Sequence, residues 1–229
     1  MKNSRFLTLL VVVLVIALVI TVVSLIMDRN GKFNAGNYRM QDVVVTSTVN
    51  VKDNSDVNKN LESLSDIKLS LSQNNKISFL TTKDDNISEI YIDNISVKNP
   101  EKVGEFYISV INNDTKELVS NIKDKIKITP NVQENGNYIE VDINNEFFEK
   151  ELSIPENLKS VKFDGTILPK YSIDLKSLMF DVSFDLNILQ KDGKINTCNV
   201  KLTLPNQDLM LVGTSITRKN LADFTFKIK

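Results

Sequence analysis

The pattern of apolar and polar residues divides the chain into two unlike parts. Residues 6–27 form an uninterrupted apolar run, dominated by Val, Leu and Ile and containing only three Ser or Thr side chains. At about 1.5 Å per residue, a helix of this length spans roughly 33 Å, slightly more than the ~30 Å hydrocarbon core of a bilayer. We therefore predict one transmembrane helix over residues 6–27, whose membrane-spanning residues include Phe6, Leu14, Ile20 and Met27.

A short basic head, residues 1–5, precedes this run and contains Lys2 and Arg5. A cleaved signal peptide has a similar head, but its apolar region covers about 7–15 residues and ends in a small-residue cleavage site. The run here is longer, and the residues after Met27 offer no such site, so we predict an uncleaved signal anchor. A head this short is typical of anchors that leave the C-terminal part outside. Residues 1–5 are then the cytoplasmic head, and residues 28–229 lie outside the cytoplasm at the cell membrane.

After a polar tether over residues 28–42, the pattern changes to strict alternation. In residues 178–188 every even position is apolar, and four of the five residues between them are polar. Because alternate side chains of a strand point to opposite faces, the even residues are predicted to form one buried face. Residues 197–204 repeat this alternation, and Asp192-Gly193 between the two runs supplies the turn of a predicted β-hairpin.

Shorter alternating segments fill the rest of the chain between Asn-, Asp- and Gly-rich turns such as Asn74-Asn75 and Asp93-Asn94. Two segments, Asn145–Glu151 and Leu118–Lys125, leave room for short helices. The pattern indicates an all-β, mainly antiparallel, β-sandwich-like extracytoplasmic region behind one N-terminal transmembrane helix. The further strands are predicted at Val43–Val51, Asp66–Leu71, Lys76–Thr81, Ser88–Ile92, Ile95–Lys98, Glu105–Ile111, Lys125–Thr129, Tyr138–Ile143 and Phe224–Ile228.

The domain count is open at this level. The alternation breaks between Phe147 and Pro169, which suggests a boundary near residue 150. We therefore predict β-rich subdomains at residues 43–150 and 151–229, the second ending in the hairpin and the C-terminal strand. One domain over the whole region is the alternative, because roughly 190 residues are long for one seven-stranded sandwich and short for two.

Composition excludes several classes of function. The chain has 28 Lys and Arg against 29 Asp and Glu, so no basic field attracts nucleic acid and we predict no nucleic-acid partner. His and Trp are absent and Cys198 is the only Cys, which removes histidine-based catalysis, histidine-ligated metals and intrachain disulfides. Asp181 and Asp185 are roughly 13 Å apart along one strand, too far for paired-carboxylate catalysis. We predict a non-enzyme with no catalytic, metal or cofactor site.

Two acidic segments, Asp53-Asn54-Ser55-Asp56 and Asp84-Asp85-Asn86, raise the question of Ca²⁺, which takes oxygen ligands. Neither continues into the Gly and the distal Glu of an EF-hand loop. Turn formation explains both segments equally well.

Aromatic side chains can also contact a ligand, and the chain has five Tyr. Tyr91 and Tyr138 are out of phase with their apolar neighbours, so we predict that their rings face outward as candidate ligand-contact aromatics. Tyr is also an ordinary residue of a sheet. Cys198 is in phase with Val200 and Leu202, which predicts a small buried side chain.

These features favour a binding or structural role over a catalytic one. We expect a single-pass, membrane-anchored β-sandwich protein with a non-catalytic binding or structural role at the cell envelope. Its partners would be the lipid bilayer, through residues 6–27, and a protein or a cell-wall polymer, with edge strands as one route to a protein partner. The alternatives are a surface carbohydrate-binding or adhesion module and an accessory subunit of a secretion or envelope-assembly complex. Lys outnumbers Arg 24 to 4 and Asn is abundant, which favours a low-GC bacterium as the source.

Overall fold

The computed structural model describes residues 38–53, 66–98, 104–110, 113–153, 174–209 and 213–229. These residues form twelve strands and three short 3₁₀ helices. Every strand pairing among them is antiparallel, and the strands build two sheets. The predicted all-β, mainly antiparallel fold is confirmed.

Sheet I contains seven strands, which are β1 (Met40–Asp53), β2 (Asp66–Thr81), β4 (Glu105–Val110), β5 (Asn113–Leu118), β7 (Asn131–Gln133), β8 (Gly136–Ser153) and β11 (Thr214–Arg218). Its order is β11-β1-β2-β8-β4-β5, and β7 forms a hairpin with the start of β8. β2 and β8 are the long central strands and pair along nearly their whole length. From Asp42 to Val49 the residues of β1 alternate between half-buried and buried, as a sheet with one covered face requires.

Sheet II contains five strands, which are β3 (Ile87–Lys98), β6 (Ile126–Ile128), β9 (Phe180–Gln190), β10 (Ile195–Leu204) and β12 (Phe226–Ile228). Its order is β12-β10-β9-β3-β6. β9 and β10 form the predicted hairpin, with Leu189 opposite Ile195. Gly193 adopts φ +85° in the connecting turn, the left-handed region that glycine enters without a steric penalty. The prediction of this hairpin is confirmed.

The two sheets pack against each other through their inward side chains. Phe79 of sheet I meets Phe184 of sheet II edge to face, with ring centroids 6.2 Å apart. The even residues from Phe180 to Ile188 are buried, as the alternation predicts, and Cys198 is fully buried. The hydrophobic cluster contains residues from both sides of position 150, so it joins the two segments that the sequence analysis divided there.

Three local predictions are wrong. The segment Asn145–Glu151 is not a helix but part of β8, because its backbone pairs with β2 up to Ser153. Asn74-Asn75 is not a turn but lies inside β2, where Asn75 Nδ2 donates to Ile143 O at 3.4 Å. Asp93-Asn94 interrupts β3 as a bulge rather than ending a strand, with Asn94 at φ +52°. Within Leu118–Lys125 the structure has a single 3₁₀ turn at Val119–Asn121.

No helix among the described residues is long and apolar enough to cross a membrane. The predicted head (1–5), the predicted transmembrane helix (6–27) and most of the predicted tether (28–42) lie outside the described residues. The same holds for the membrane-spanning residues Phe6, Leu14, Ile20 and Met27. These elements therefore stay predictions, except that residues 40–42 at the end of the predicted tether belong to β1, where Met40 is buried in the core.

Candidate functional site

Edge strands are where a sheet can meet another chain, because their outer N–H and C=O groups have no neighbouring strand. The described part of the molecule has five such edges, which are those of β5, β7, β11, β6 and β12. β6, β7 and β12 are only three residues long. β5, with the sequence NDTKEL, contains three charged residues. Short length and charge both discourage the addition of a strand.

β11 differs from the other described edges in length and chemistry. Its sequence over Thr214–Arg218 is TSITR, with no Pro and with its only charge at the end. Ile216 at its centre exposes 69% of its surface, more than the other exposed large apolar residues of the described chain. Among the described edges, β11 alone therefore combines five residues with an exposed apolar centre.

The pairing of β11 with β1 determines which of its backbone groups face outward. The N–H of Lys219, just after β11, donates to Val43 O of β1 at 2.8 Å. Hydrogen-bonded and non-hydrogen-bonded pairs alternate along an antiparallel ladder, so the odd-numbered residues of β11 bond to β1. The outward N–H and C=O groups belong to Thr214, Ile216 and Arg218.

A buried asparagine holds β11 in place. Asn206 lies after β10 and exposes only 3% of its surface. Its Nδ2 donates to Val45 O of β1 at 2.7 Å and to Ser215 O of β11 at 3.2 Å. Its Oδ1 accepts a hydrogen bond from Lys219 Nζ at 3.2 Å, and its N–H donates to Ser47 Oγ at 3.0 Å. Asn206 thus connects sheet II to the edge pair of sheet I and fixes the position of that edge.

The charge at the end of β11 is neutralised within the domain. Arg218 Nε lies 2.9 Å from Asp42 Oδ1, and Arg218 Nη2 donates to Asp42 Oδ2 at 2.9 Å. Such a two-point contact between a guanidinium and a carboxylate is directional. The pair is exposed and adds little to stability, but it places a negative charge beside the one cation of β11.

A shallow cleft of 420 Å³ lies beside β11, where the chain crosses from sheet I to sheet II. Its lining includes Lys201, Lys219, Asn220, Asp223 and Phe224. Burial lowers the pKa of the Lys219 amine. The lining combines two lysines and one carboxylate with the apolar side chains of Leu202 and Phe224, so its chemistry is mixed and does not select one class of ligand.

The two tyrosines predicted as ligand contacts lie on different sheets. Tyr91 is on β3 of sheet II and exposes 8% of its surface, with Lys125 Nζ 4.6 Å from its ring centre. Tyr138 is half-buried on β8 of sheet I, and its hydroxyl donates to Glu140 Oε2 at 2.8 Å. Burial raises the pKa of Tyr138. The structure therefore does not bring the two rings together on one platform.

The outer face of sheet II is a network of polar side chains. Asp185 accepts hydrogen bonds from Asn94 Nδ2 at 2.9 Å and from Asn199 Nδ2 at 2.8 Å, and Asp181 accepts one from Thr203 at 2.7 Å. Burial acts to raise the pKa of Asp185, but the Asn199 and Asn94 donors and the nearby Lys229 together outweigh it, and the net pKa is lowered. Both carboxylates are thus bound within the sheet face.

The acidic turn Asp84-Asp85-Asn86 is held by its own neighbours. Asp84 Oδ1 accepts a hydrogen bond from the N–H of Asn86 at 2.8 Å, and its Oδ2 accepts one from the Tyr38 hydroxyl at 2.7 Å. Within the described ranges no group of three acidic or thiol side chains is placed to hold a metal ion. The Asp84 carboxylate therefore has a structural role in this turn.

Neither β11 nor the role of Asn206 was predicted from the sequence. The β-branched residues Thr214, Ile216 and Thr217 after Gly213 are a usable strand signal. Asn206 has no local signal, because Val45, which it binds, is 161 residues away along the chain.

Comparisons of the chain with family models, with curated proteins and with solved structures found no match.

Proposed function

We propose that this protein is a single-pass, membrane-anchored β-sandwich that binds a partner at the cell envelope without catalysis. The observation that carries the proposal is the open edge of β11, with three outward backbone positions and Ile216 exposed at 69%. A strand of the partner would add to this edge and extend sheet I, so that backbone hydrogen bonds supply affinity and side-chain contacts supply specificity.

The membrane location is supported by the apolar run at residues 6–27, which is long enough to span a bilayer. The short basic head supports placing residues 28–229 outside the cytoplasm of a low-GC bacterium. A Lys191→Cys variant tests this orientation, because Lys191 is exposed and the native Cys198 is buried. We expect a membrane-impermeant thiol reagent to label the variant in intact cells and to leave the native chain unlabelled. Labelling only after lysis would contradict the proposal.

A role in binding rather than catalysis is supported by the carboxylates of the two sheets, which are engaged in hydrogen bonds or ion pairs with neighbouring side chains. On sheet II, Asp181 and Asp185 accept hydrogen bonds from side chains of neighbouring strands. On sheet I, Glu140 pairs with Lys76 at 2.8 Å. Carboxylates engaged in this way hold the sheet faces and are poorly placed to exchange protons with a substrate.

Site-specific photocross-linking in cells tests the partner directly. A photoreactive residue replaces Ile216 in the full chain, and the same residue replaces Val132 of β7 as the matched control. Val132 is comparably exposed, at 59%, but its strand has only three residues. We expect a covalent adduct of higher mass from position 216 and none from position 132. No adduct at position 216 would contradict the proposed function.

The two alternative functions predict different behaviour. An accessory subunit of a secretion or envelope-assembly complex would use the same edge and lose its partner with Ile216→Lys. A carbohydrate-binding or adhesion module would bind purified cell-wall polymer through Tyr91 or Tyr138. It would keep that binding in Ile216→Lys and lose it on replacement of one of those tyrosines by Ala.

A further inference from the structure

We propose that the occupant of the β11 edge is β11 of a second copy of this chain, paired antiparallel across a two-fold axis at Ile216. This inference rests on the proposed function, because it uses the same edge, and it names the partner. The sheet would then run continuously through both copies.

The spacing of the outward backbone groups supports this pairing. Thr214, Ile216 and Arg218 present their backbone groups outward, and they are spaced evenly about Ile216. A two-fold axis at Ile216 places this residue opposite Ile216 of the second copy and places Thr214 opposite Arg218 of the second copy. All three outward positions are then hydrogen-bonded pairs, which gives about six backbone hydrogen bonds. No shifted register pairs all three of them.

The positions of the charges on β11 also support this pairing. In this register each Arg218 faces a Thr214, and the two arginines are about 14 Å apart along the strands. Each guanidinium is already paired with Asp42 of its own chain at 2.9 Å. No like charges therefore oppose each other at the junction, whereas like charges directly opposite one another destabilise a strand pair.

The side chain at the centre of β11 supports the pairing as well. Ile216 exposes 69% of its surface, and residues directly opposite each other in an antiparallel pair have Cβ atoms about 4.5–5.5 Å apart. The two Ile216 side chains would cover each other at the axis. A natural solvent-exposed edge usually carries a Lys or another charge at such a position, and β11 has none there.

Cysteine cross-linking of the full chain in its membrane tests the inference. The variants are Ile216→Cys and, as the matched control, Val132→Cys, and the native chain reports on Cys198, which is buried. A short bifunctional maleimide is preferable to oxidation, because a disulfide needs Cβ atoms about 3.5–4.5 Å apart and the expected pair lies at or beyond that range. We expect Ile216→Cys to give a species of twice the monomer mass, and Val132→Cys and the native chain to give none.

Three results would overturn the second copy as the occupant. The first is equal cross-linking of Ile216→Cys and Val132→Cys, which indicates random collision. The second is no reaction of Ile216→Cys with a monofunctional maleimide in detergent at a dilution where the chain is a monomer, which indicates that another part of the same chain covers the edge. The third is an adduct of a different mass in the photocross-linking experiment, which leaves the proposed function intact and replaces only its partner.

A second variant separates loss of pairing from loss of folding. Ile216→Lys adds the charge that protects natural edges, at a position exposed enough to accept it. We expect the full chain in detergent to change from dimer to monomer by measured mass, with its melting temperature unchanged when both are compared as monomers at high dilution. An Ile216→Lys chain that stays dimeric would overturn the inference.

Discussion

Replacing Asn206 by Ala should destabilise the domain and loosen the edge at β11. The change removes three side-chain hydrogen bonds, to Val45 O, Ser215 O and Lys219 Nζ. Each intramolecular hydrogen bond contributes about 0.5–1.5 kcal/mol net, so the expected loss is about 3 kcal/mol. For a chain of this size, that corresponds to a fall in melting temperature of about 6–12 °C.

Thermal unfolding of the full chain in detergent, followed by circular dichroism, measures this effect. Asn199→Ala is the matched control, since Asn199 is exposed and its side chain makes one hydrogen bond, to Asp185. We expect the control to cost about 0.5–1.5 kcal/mol, because it removes only one hydrogen bond. Hydrogen exchange should also become faster at Thr217 in Asn206→Ala, because its backbone faces β1. Equal stability of Asn206→Ala and Asn199→Ala would refute the argument that Asn206 fixes the edge.

Three further predictions concern the core and two titrating groups. Phe184→Ala should lower the free energy of unfolding, measured with a chemical denaturant, by about 3–5 kcal/mol, because Phe184 is fully buried against Phe79. An effect no larger than that of Leu221→Ala would contradict this packing. Burial, with a smaller effect of Asp185, raises the pKa of the Cys198 thiol from 9.0 to about 12. The folded chain should therefore resist maleimide at pH 8. Its free energy of unfolding should fall as the pH rises above 9.0, because the thiol then ionises in the unfolded chain but stays neutral in the folded chain. The pKa of Asp185 is lowered, so Asp185→Asn should reduce the melting temperature at pH 7. The difference in melting temperature between the variant and the native chain should shrink below about pH 5, where the carboxylate begins to protonate. A constant difference across that range would contradict the stabilising role of the ionised Asp185.

The sequence predicted best where one local pattern and the tertiary structure agree. The hairpin of β9 and β10 follows from strict alternation and from Asp192-Gly193, and its observed register has Leu189 opposite Ile195. One face of each strand is buried and the other is polar, so the period of two is visible in the sequence itself. The class of the fold follows from the same rule.

The failures occur where pairing overrides local preference. The segment Asn145–Glu151 contains Glu and Lys, which favour helices, but its backbone completes the long ladder with β2. Asn75 belongs to a pair of residues typical of turns, yet it is buried and donates to the carbonyl of Ile143. In both cases the deciding partner is a strand far away in the sequence.

The candidate site was the least predictable part for a related reason. An exposed edge is defined by the absence of a neighbour among the described strands, and strand order does not follow from the pattern of a single strand. Tyr91 and Tyr138 were predicted to face outward as ligand contacts, but Tyr91 is buried and Tyr138 is half-buried. The sequence could not show that they belong to different sheets.

The position of β1 between β2 and β11 has a consequence for how the chain reaches its folded state. Thr48 of β1 bonds with Thr214 of β11, which comes 166 residues later in the chain. Contacts between such distant residues form slowly, because a long loop must close first. A chain emerging with its N-terminus first would keep one side of β1 open until synthesis is almost complete. During that interval the nascent chain offers a longer unpaired strand than the finished protein does, and a chaperone that binds extended segments would find its target there.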